Sequence, residues 1–236
     1  MNWICLDIET ADASVEAIEA AMEEWKPPGS CKRAETIEAK RQEAVARYQE
    51  KAALLDASPI ICIAAIADTG QQLLFTWMTP TFPIADWERI TGNDLTEEIM
   101  LFAFRQWLAS FPLDTTIVGH HVRGFDLPKL RQAFIRHRLR LPDLLSMNID
   151  PSLNVVDTMY LIRSCSMELH DDRFISLNRV AVALGIDRPK QLLNGADVPK
   201  LYEVGQYQEI LTYCAIDCST TARAYALMTG QAPDLS

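Results

Sequence analysis

Asp7 and Glu9 stand two residues apart in the run Trp3-Ile4-Cys5-Leu6-Asp7-Ile8-Glu9-Thr10, which is otherwise largely apolar. On a strand, that spacing projects both carboxylates from one face while Ile8 turns to the other. Like charges so placed resist joint ionisation. A divalent cation relieves the conflict, and carboxylate oxygens suit magnesium or manganese. Taken alone, the pair reads equally well as two solvated acids at a sheet edge. Asp126 begins a helical stretch just beyond the apolar Ile117-Val118, where a carboxylate also serves simply to offset a helix dipole. Tyr213 and Asp217 are four residues apart in the last long helical stretch. Their side chains therefore share a face, roughly 5–6 Å apart at Cβ, as would an ordinary amphipathic surface pair.

These residues need elements to hold them. Trp3 to Thr10 reads as a buried strand, followed by an acidic helix from Val15 to Trp25 that Lys26-Pro27-Pro28-Gly29-Ser30 breaks. Residues 33–56 form a second, highly charged helical stretch whose apolar stripe is thin: Ile37, Ala44, Tyr48, Ala52 and Leu55. The helical segment at about 12–57 is expected as an insertion in a single domain spanning 1–236. Pro59 to Ala67 is a continuous apolar run, hence a buried strand, and Asp68-Thr69-Gly70 turns it into an antiparallel partner, Gln72 to Met78. A helix from Thr96 to Phe111 should be capped by Thr96 and face Ile99, Phe102, Ala103 and Leu108 inward. Short strands at Thr115 to His120 and Asn154 to Thr158 alternate with helices at Phe125 to His137, Ile175 to Ala183 and Tyr207 to Met228. Hairpin first, alternation after, this pattern predicts an α/β domain: one mixed sheet flanked by helices.

The chain has 236 residues, is 49% hydrophobic, and carries a net charge of −10, which excludes a broad basic surface for coating nucleic acid. A local groove or bound metal at a nucleic-acid end remains compatible with that charge. Six cysteines show no CxxC pair and no zinc spacing, so core packing in a reducing compartment is expected. The only N-terminal apolar run is interrupted by Asp7 and Glu9, and no apolar segment is long enough to span a bilayer. A cytoplasmic protein without a membrane partner is the expectation.

In order, Asp7-Ile8-Glu9-Thr10, Gly119-His120-His121-Val122-Arg123-Gly124-Phe125-Asp126 and Tyr213-Cys214-Ala215-Ile216-Asp217 resemble the three motifs of the DEDD (DnaQ-like) 3′-to-5′ exonucleases. Tyrosine four residues before the last acid is similar to the DEDDy branch; the other branch would place histidine where this chain has Thr212. The nearest resemblance is to predicted exonucleases related to the proofreading domain of family B DNA polymerases, including stand-alone phage-type members. Lys26-Pro27-Pro28 with the charged helix after it, and Ile175 to Ala181 ending at Leu184-Gly185, also resemble that group. One departure is His121, where many relatives have asparagine.

The resemblance implies a ribonuclease-H-like fold and hydrolysis of phosphodiester bonds from a nucleic-acid 3′ end, most simply single-stranded DNA. It implies two divalent ions, Mg2+ or Mn2+, held by Asp7, Glu9, Asp126 and Asp217, with Asp7 bridging the pair. Tyr213 would orient the attacking water, and Thr10, His121 and Phe125 would contact substrate. Two rivals stand beside this: an exoribonuclease of the same fold, and a binding or scaffold module without catalysis. Arg131, Arg136, His137, Arg138 and Arg140 read equally as a substrate-binding patch or a solvated helix face.

Overall fold

A computed structural model describes residues 2–23, 25–54, 56–78, 84, 86–90, 96–146, 154–187 and 193–231. Six strands form one mixed sheet: β1 (Trp3–Thr10), β2 (Ile60–Ala67), β3 (Gln72–Thr76), β4 (Glu88–Ile90), β5 (Thr116–Gly119) and β6 (Val155–Asp157). Their order is β4-β3-β2-β1-β5-β6. β2 is antiparallel to both β1 and β3, whereas β5 runs parallel to β1 and β6 parallel to β5. This is the expected α/β architecture. Among the described residues eight α-helices accompany it: α1 (Val15–Glu23), α2 (Ala34–Glu50), α3 (Glu97–Leu108), α4 (Asp126–Arg136), α5 (Thr158–Cys165), α6 (Leu177–Ala183), α7 (Val198–Glu203) and α8 (Tyr207–Thr229). Among the described residues no helix is long and apolar enough to cross a membrane.

β1 is buried on both faces, and its alternation sorts its side chains between two cores. Ile4, Leu6 and Ile8 join Phe104 of α3 and Leu130 and Phe134 of α4. Trp3 and Cys5 join Ile210, Cys214, Cys218 and Tyr225 of α8. The period of two therefore turns Asp7 and Glu9 toward the α8 side. β2 is buried along its whole length, as a strand covered on both faces must be.

α1 and α2 run between β1 and β2, and their base is tied to the end of β1. Ala13 N donates to Ala52 O at 3.2 Å, Ala11 N to Pro59 O at 3.0 Å, and Thr10 Oγ1 to Ala53 O at 3.0 Å. The thin stripe on α2 is seen at Ile37, Ala44 and Tyr48, all half-buried, and at buried Ala52 just beyond the helix; Leu55 lies outside the described residues.

The inward face of α3 differs from the sequence expectation. Thr96 does cap the helix, accepting from Ile99 N. The buried residues, however, are Glu97, Met100, Leu101, Phe104 and Leu108, while Phe102 is 47% exposed. Helical steps of three and four from Glu97 lead to Leu101 and Phe104, and Phe102 falls off that stripe. Glu97 is drawn in because it accepts from Ile60 N at 2.8 Å and Arg136 Nη2 at 2.7 Å, with His137 Nε2 at 2.8 Å. Phe104→Ala should therefore destabilise the protein by about 3–5 kcal/mol in urea unfolding, whereas Phe102→Ala should stay within about 0.5 kcal/mol.

Candidate active site

The acids gather where β1 outruns its neighbour. β5 pairs with β1 only as far as Cys5, opposite Val118. Asp7 and Glu9 thus project past the end of the parallel partner, opposite the small residues Ala64 and Cys62 of β2. The gap is filled by the chain between β5 and α4. At its end Asp126 Oδ1 accepts from Ile8 N at 3.2 Å, taking the place of a missing strand partner midway between Asp7 and Glu9. From the other core, α8 brings Tyr213 and Asp217, which share a face as their spacing requires and are hydrogen-bonded to each other.

The loop carrying the second motif is pinned by residues whose chemistry the sequence reading did not single out. Asp157 at the end of β6 is buried and accepts from His121 N at 2.9 Å, Arg123 N at 3.2 Å and Met159 N at 3.1 Å. One carboxylate therefore caps α5 and fixes the loop before Asp126. The only signal in the sequence was an ordinary helix cap, Asp157-Thr158. His120 adds a second tie, its Nδ1 lying 3.0 Å from Thr158 Oγ1 and its Nε2 2.7 Å from Ile175 O. Gly119 is required here. A Cβ at that position would lie 2.5 Å from Val122 Cβ and 3.2 Å from Leu6 O.

The residues expected to contact substrate sit differently from one another. His121 is held in the left-handed region, with φ of 59°, and its ring meets Phe174 edge-on at 5.5 Å. Phe125 is half-buried against the α3–α4 core. The Thr10 side chain is buried and directed to Ala53 O. Of the basic residues after the second motif, Arg131, Arg136 and His137 are bound into the fold, while Arg138 and Arg140 are exposed. Arg136 and His137 meet Glu97, Arg131 Nε donates to Leu145 O at 2.9 Å, and Arg140 pairs with Asp143 at 3.1 Å. His170 lies 3.1 Å from Arg163 O, a loop contact.

Electrostatically the cluster is strained toward protonation. Burial is the largest cause for Asp7, whose carboxyl is pushed well up, with Glu9, Asp217 and Asp126 adding repulsion. Glu9 is raised in the same way, by burial and then by Cys62, Asp217 and Asp126. Asp126 is pushed up to about 7 by burial, although its backbone hydrogen bonds oppose the shift. The Tyr213 phenol is raised too, by burial and by the neighbouring carboxylates.

The donor set fits a divalent cation. Ligand atoms of Asp7, Glu9 and Cys214 lie within 4.8 Å of one another. Asp7 Oδ2 is buried without a hydrogen-bond partner, and a buried carboxylate oxygen in that condition is what a cation would satisfy. Asp126 and Asp217 stand outside that tight trio but act on it through their charge. Cys214, which the sequence reading left as packing, is its third member; its Sγ faces Asp7 O of the strand backbone at 3.5 Å.

The family model of the RNase_H superfamily matches residues 88–229, more than half of the chain. The chain belongs to the RNase_H superfamily. RNase H-like nucleases generally use divalent metals, and the matched stretch holds Asp126, Tyr213 and Asp217. Asp7 and Glu9 precede the matched stretch, and it is the fold that brings them beside its acids. No curated protein matches the sequence. Among solved structures, the family B DNA polymerase from the hyperthermophilic archaeon Pyrobaculum calidifontis is similar at 16% identity and a TM-score of 0.54. The alignment covers 96% of this chain and 24% of the polymerase chain, so the likeness is one of fold to a part of a larger protein.

The raised Asp126 carboxyl has a testable sign. Between the ordinary carboxylate value of 3.8 and about 7, the folded protein holds a proton that the unfolded chain releases. Without metal, this group's contribution to stability is full at low pH and lost as pH rises through that window, by up to about 4 kcal/mol. Asp126→Asn keeps an oxygen for Ile8 N but cannot titrate. Its thermal midpoint relative to wild type, in EDTA, should rise from pH 5 to pH 8, and manganese should narrow the gap by stabilising wild type. A gap independent of pH would show that Asp126 is ionised throughout.

Proposed function

We propose that the protein is a metal-dependent 3′-to-5′ exonuclease acting on single-stranded DNA. The observation that carries this reading is the convergence of Asp7, Glu9, Asp126 and Asp217, from three separated parts of the chain, on the overhanging end of β1. Four acids at one point repel a phosphate backbone by themselves, so the arrangement makes sense as a cation site that faces phosphate. Superfamily membership supports nuclease-type chemistry on a nucleic acid.

Asp7, Glu9, Asp126 and Asp217 would hold two divalent ions, Mg2+ or Mn2+. Such a pair supplies charge for the attacking and leaving oxygens of an in-line displacement. Asp7, flanked by Glu9 on its own strand and by Asp217 on α8, is the natural shared ligand. Asp126 approaches from the opposite edge, its orientation fixed by Ile8 N. Tyr213 works as a neutral phenol, since burial and the surrounding carboxylates hold its proton on. The hydroxyl donates to Asp217 and keeps its oxygen lone pairs for the attacking water, which it positions without taking the proton. The half-buried His121 and Phe125 would border the terminal nucleotide.

The assay that tests this uses end-labelled DNA and RNA strands with and without manganese. Stepwise loss from free 3′ ends, resistance of circular strands and of strands blocked at the 3′ end, and preference for DNA are expected. Rapid cutting of circles would make the protein an endonuclease, and preference for RNA would move it to the exoribonucleases. A second measurement separates positioning from metal holding. Tyr213→Phe should lower the single-turnover rate by about 10²–10⁴-fold with manganese affinity retained, whereas Asp217→Asn should weaken manganese binding itself. A Tyr213→Phe rate equal to wild type would reduce the tyrosine to a packing residue.

A further inference from the structure

A groove of about 580 Å³ lies between α2 and the segment that leads into it, with a lining that includes Trp25, Lys40, Glu43, Arg47, Tyr48 and Lys51. That volume lies within the roughly 300–1,000 Å³ typical of ligand sites. Its chemistry is unlike the rest of a chain that carries a net charge of −10. Two aromatic rings, both half-buried, stand beside three cations and one acid. Lys40 is committed to Glu43 at 2.6 Å. Arg47 and Lys51 are exposed, and no ion pair or side-chain hydrogen bond among the described residues engages either one. Arg47 and Lys51 are four apart across the end of α2, so their side chains rise from one face.

This surface is mounted on the strand that carries Asp7 and Glu9. α1 begins five residues after Thr10, the chain returns to β2 through Ala52 and Ala53, and the bonds from Thr10, Ala11 and Ala13 fix that base. A neighbouring cavity that shares Lys51 is lined by Asp12, Asp197 and Glu203 and by one further cation, Lys200. Its acids outnumber its lysines, so the groove along α2 is the more favourable of the two for an anionic ligand. Charges farther apart than about 8 Å are largely screened at physiological salt, so the local pair of cations outweighs the distant net charge.

We propose that the groove along α2 binds single-stranded nucleic acid upstream of the 3′ end, with bases stacked on Trp25 and Tyr48 and phosphates on Arg47 and Lys51. Rings that offer a face to any base, set beside backbone-tracking cations, bind single strands with little sequence preference. The inference rests on the exonuclease reading for what happens at the 3′ end, but its binding step needs no hydrolysis. The highly charged stretch at residues 33–56 thus becomes the part of the protein that holds the strand being shortened.

Binding is measured by anisotropy of 5′-labelled (dT)20 and (rU)20 in EDTA over a salt series, beside hydrolysis of the same strands in manganese. Arg47→Gln/Lys51→Gln should weaken binding about tenfold or more. It should also flatten the slope of log K against log salt by about 1.4, the expectation for two lost phosphate contacts on a single strand. Trp25→Ala should weaken binding roughly 5- to 100-fold with the salt slope kept, because it removes stacking and not charge. The exposed Arg41, outside the groove, serves as control, and Arg41→Gln should bind as wild type does. In manganese the double variant should raise KM for the 20-mer by about the same factor as it weakens binding. Equal affinity of wild type and both variants overturns the inference while leaving the exonuclease reading intact if wild type still degrades 3′ ends. Failure of wild type to bind either strand, or equally tight binding of a blunt duplex with the same dependence on Arg47 and Lys51, overturns it as well. Binding as expected with no hydrolysis of any strand would instead sink the exonuclease reading alone.

Discussion

Like-charged carboxylates on a strand buried from both sides are the constraint around which this molecule is built. Neither half of the conflict is removable within the protein alone. Burial raises the acids, their mutual repulsion raises them further, and the described residues place no cation among them. The surroundings limit the conflict instead of abolishing it. Opposite Asp7 and Glu9 the strand β2 carries only Ala64 and Cys62, which leave room for solvent or an ion. β5 stops before it reaches the acids, so one side of β1 opens to the loop before α4. Cys214 and Cys218 back the strand with thiols, which bring no additional full charge into the cluster.

The position of Asp126 shows how a loop is made as dependable as a strand. Its carboxylate stands in for a strand partner at Ile8 N, and the segment leading to it is held by Asp157 and by both ring nitrogens of His120. An unpaired buried N–H costs about 1–3 kcal/mol, and Asp157 answers two such donors of this loop, His121 N and Arg123 N. His121 accepts a left-handed backbone within that frame, a conformation unusual for a residue other than glycine. The second motif is therefore a rigid corner, fastened on one side to β6 and on the other to β1.

Much of this was legible because two periodicities are strict. A spacing of two on a strand and of four on a helix places Asp7 with Glu9, and Tyr213 with Asp217, from the sequence alone. The continuous apolar run of β2 announced a strand covered on both faces. What stayed hidden depends on partners far away in the chain. In sequence Asp157 is one more residue of a short strand, because two of its three donors belong to residues more than thirty positions earlier. Phe102 and Phe104 are equally apolar, and only the attraction of Ile60 N, Arg136 and His137 for Glu97 decides which of them the helix turns inward. β4 has three residues, none of them buried, and carries no pattern that a sequence could display. The helices α5 and α7 are short, and α5 starts at the very end of β6 while α7 starts in an irregular stretch, which conceals them in the same way.

The route by which α8 reaches the acids has a bearing on how the chain acquires its chemistry. The bond from Cys218 Sγ to Cys5 O closes a loop of 213 residues, and that from Ile8 N to Asp126 spans 118. Contacts of such separation are made late, since the entropy of closing long loops must be met before they contribute anything. A chain that has formed only the hairpins of β1, β2 and β3 carries Asp7 and Glu9 but neither Asp126 nor Asp217 beside them. The same holds for a chain from which α8 has peeled away. On the proposed function, hydrolytic capacity would be a property of the completed topology and of no fragment of it, which would keep immature and damaged copies harmless to the nucleic acid around them.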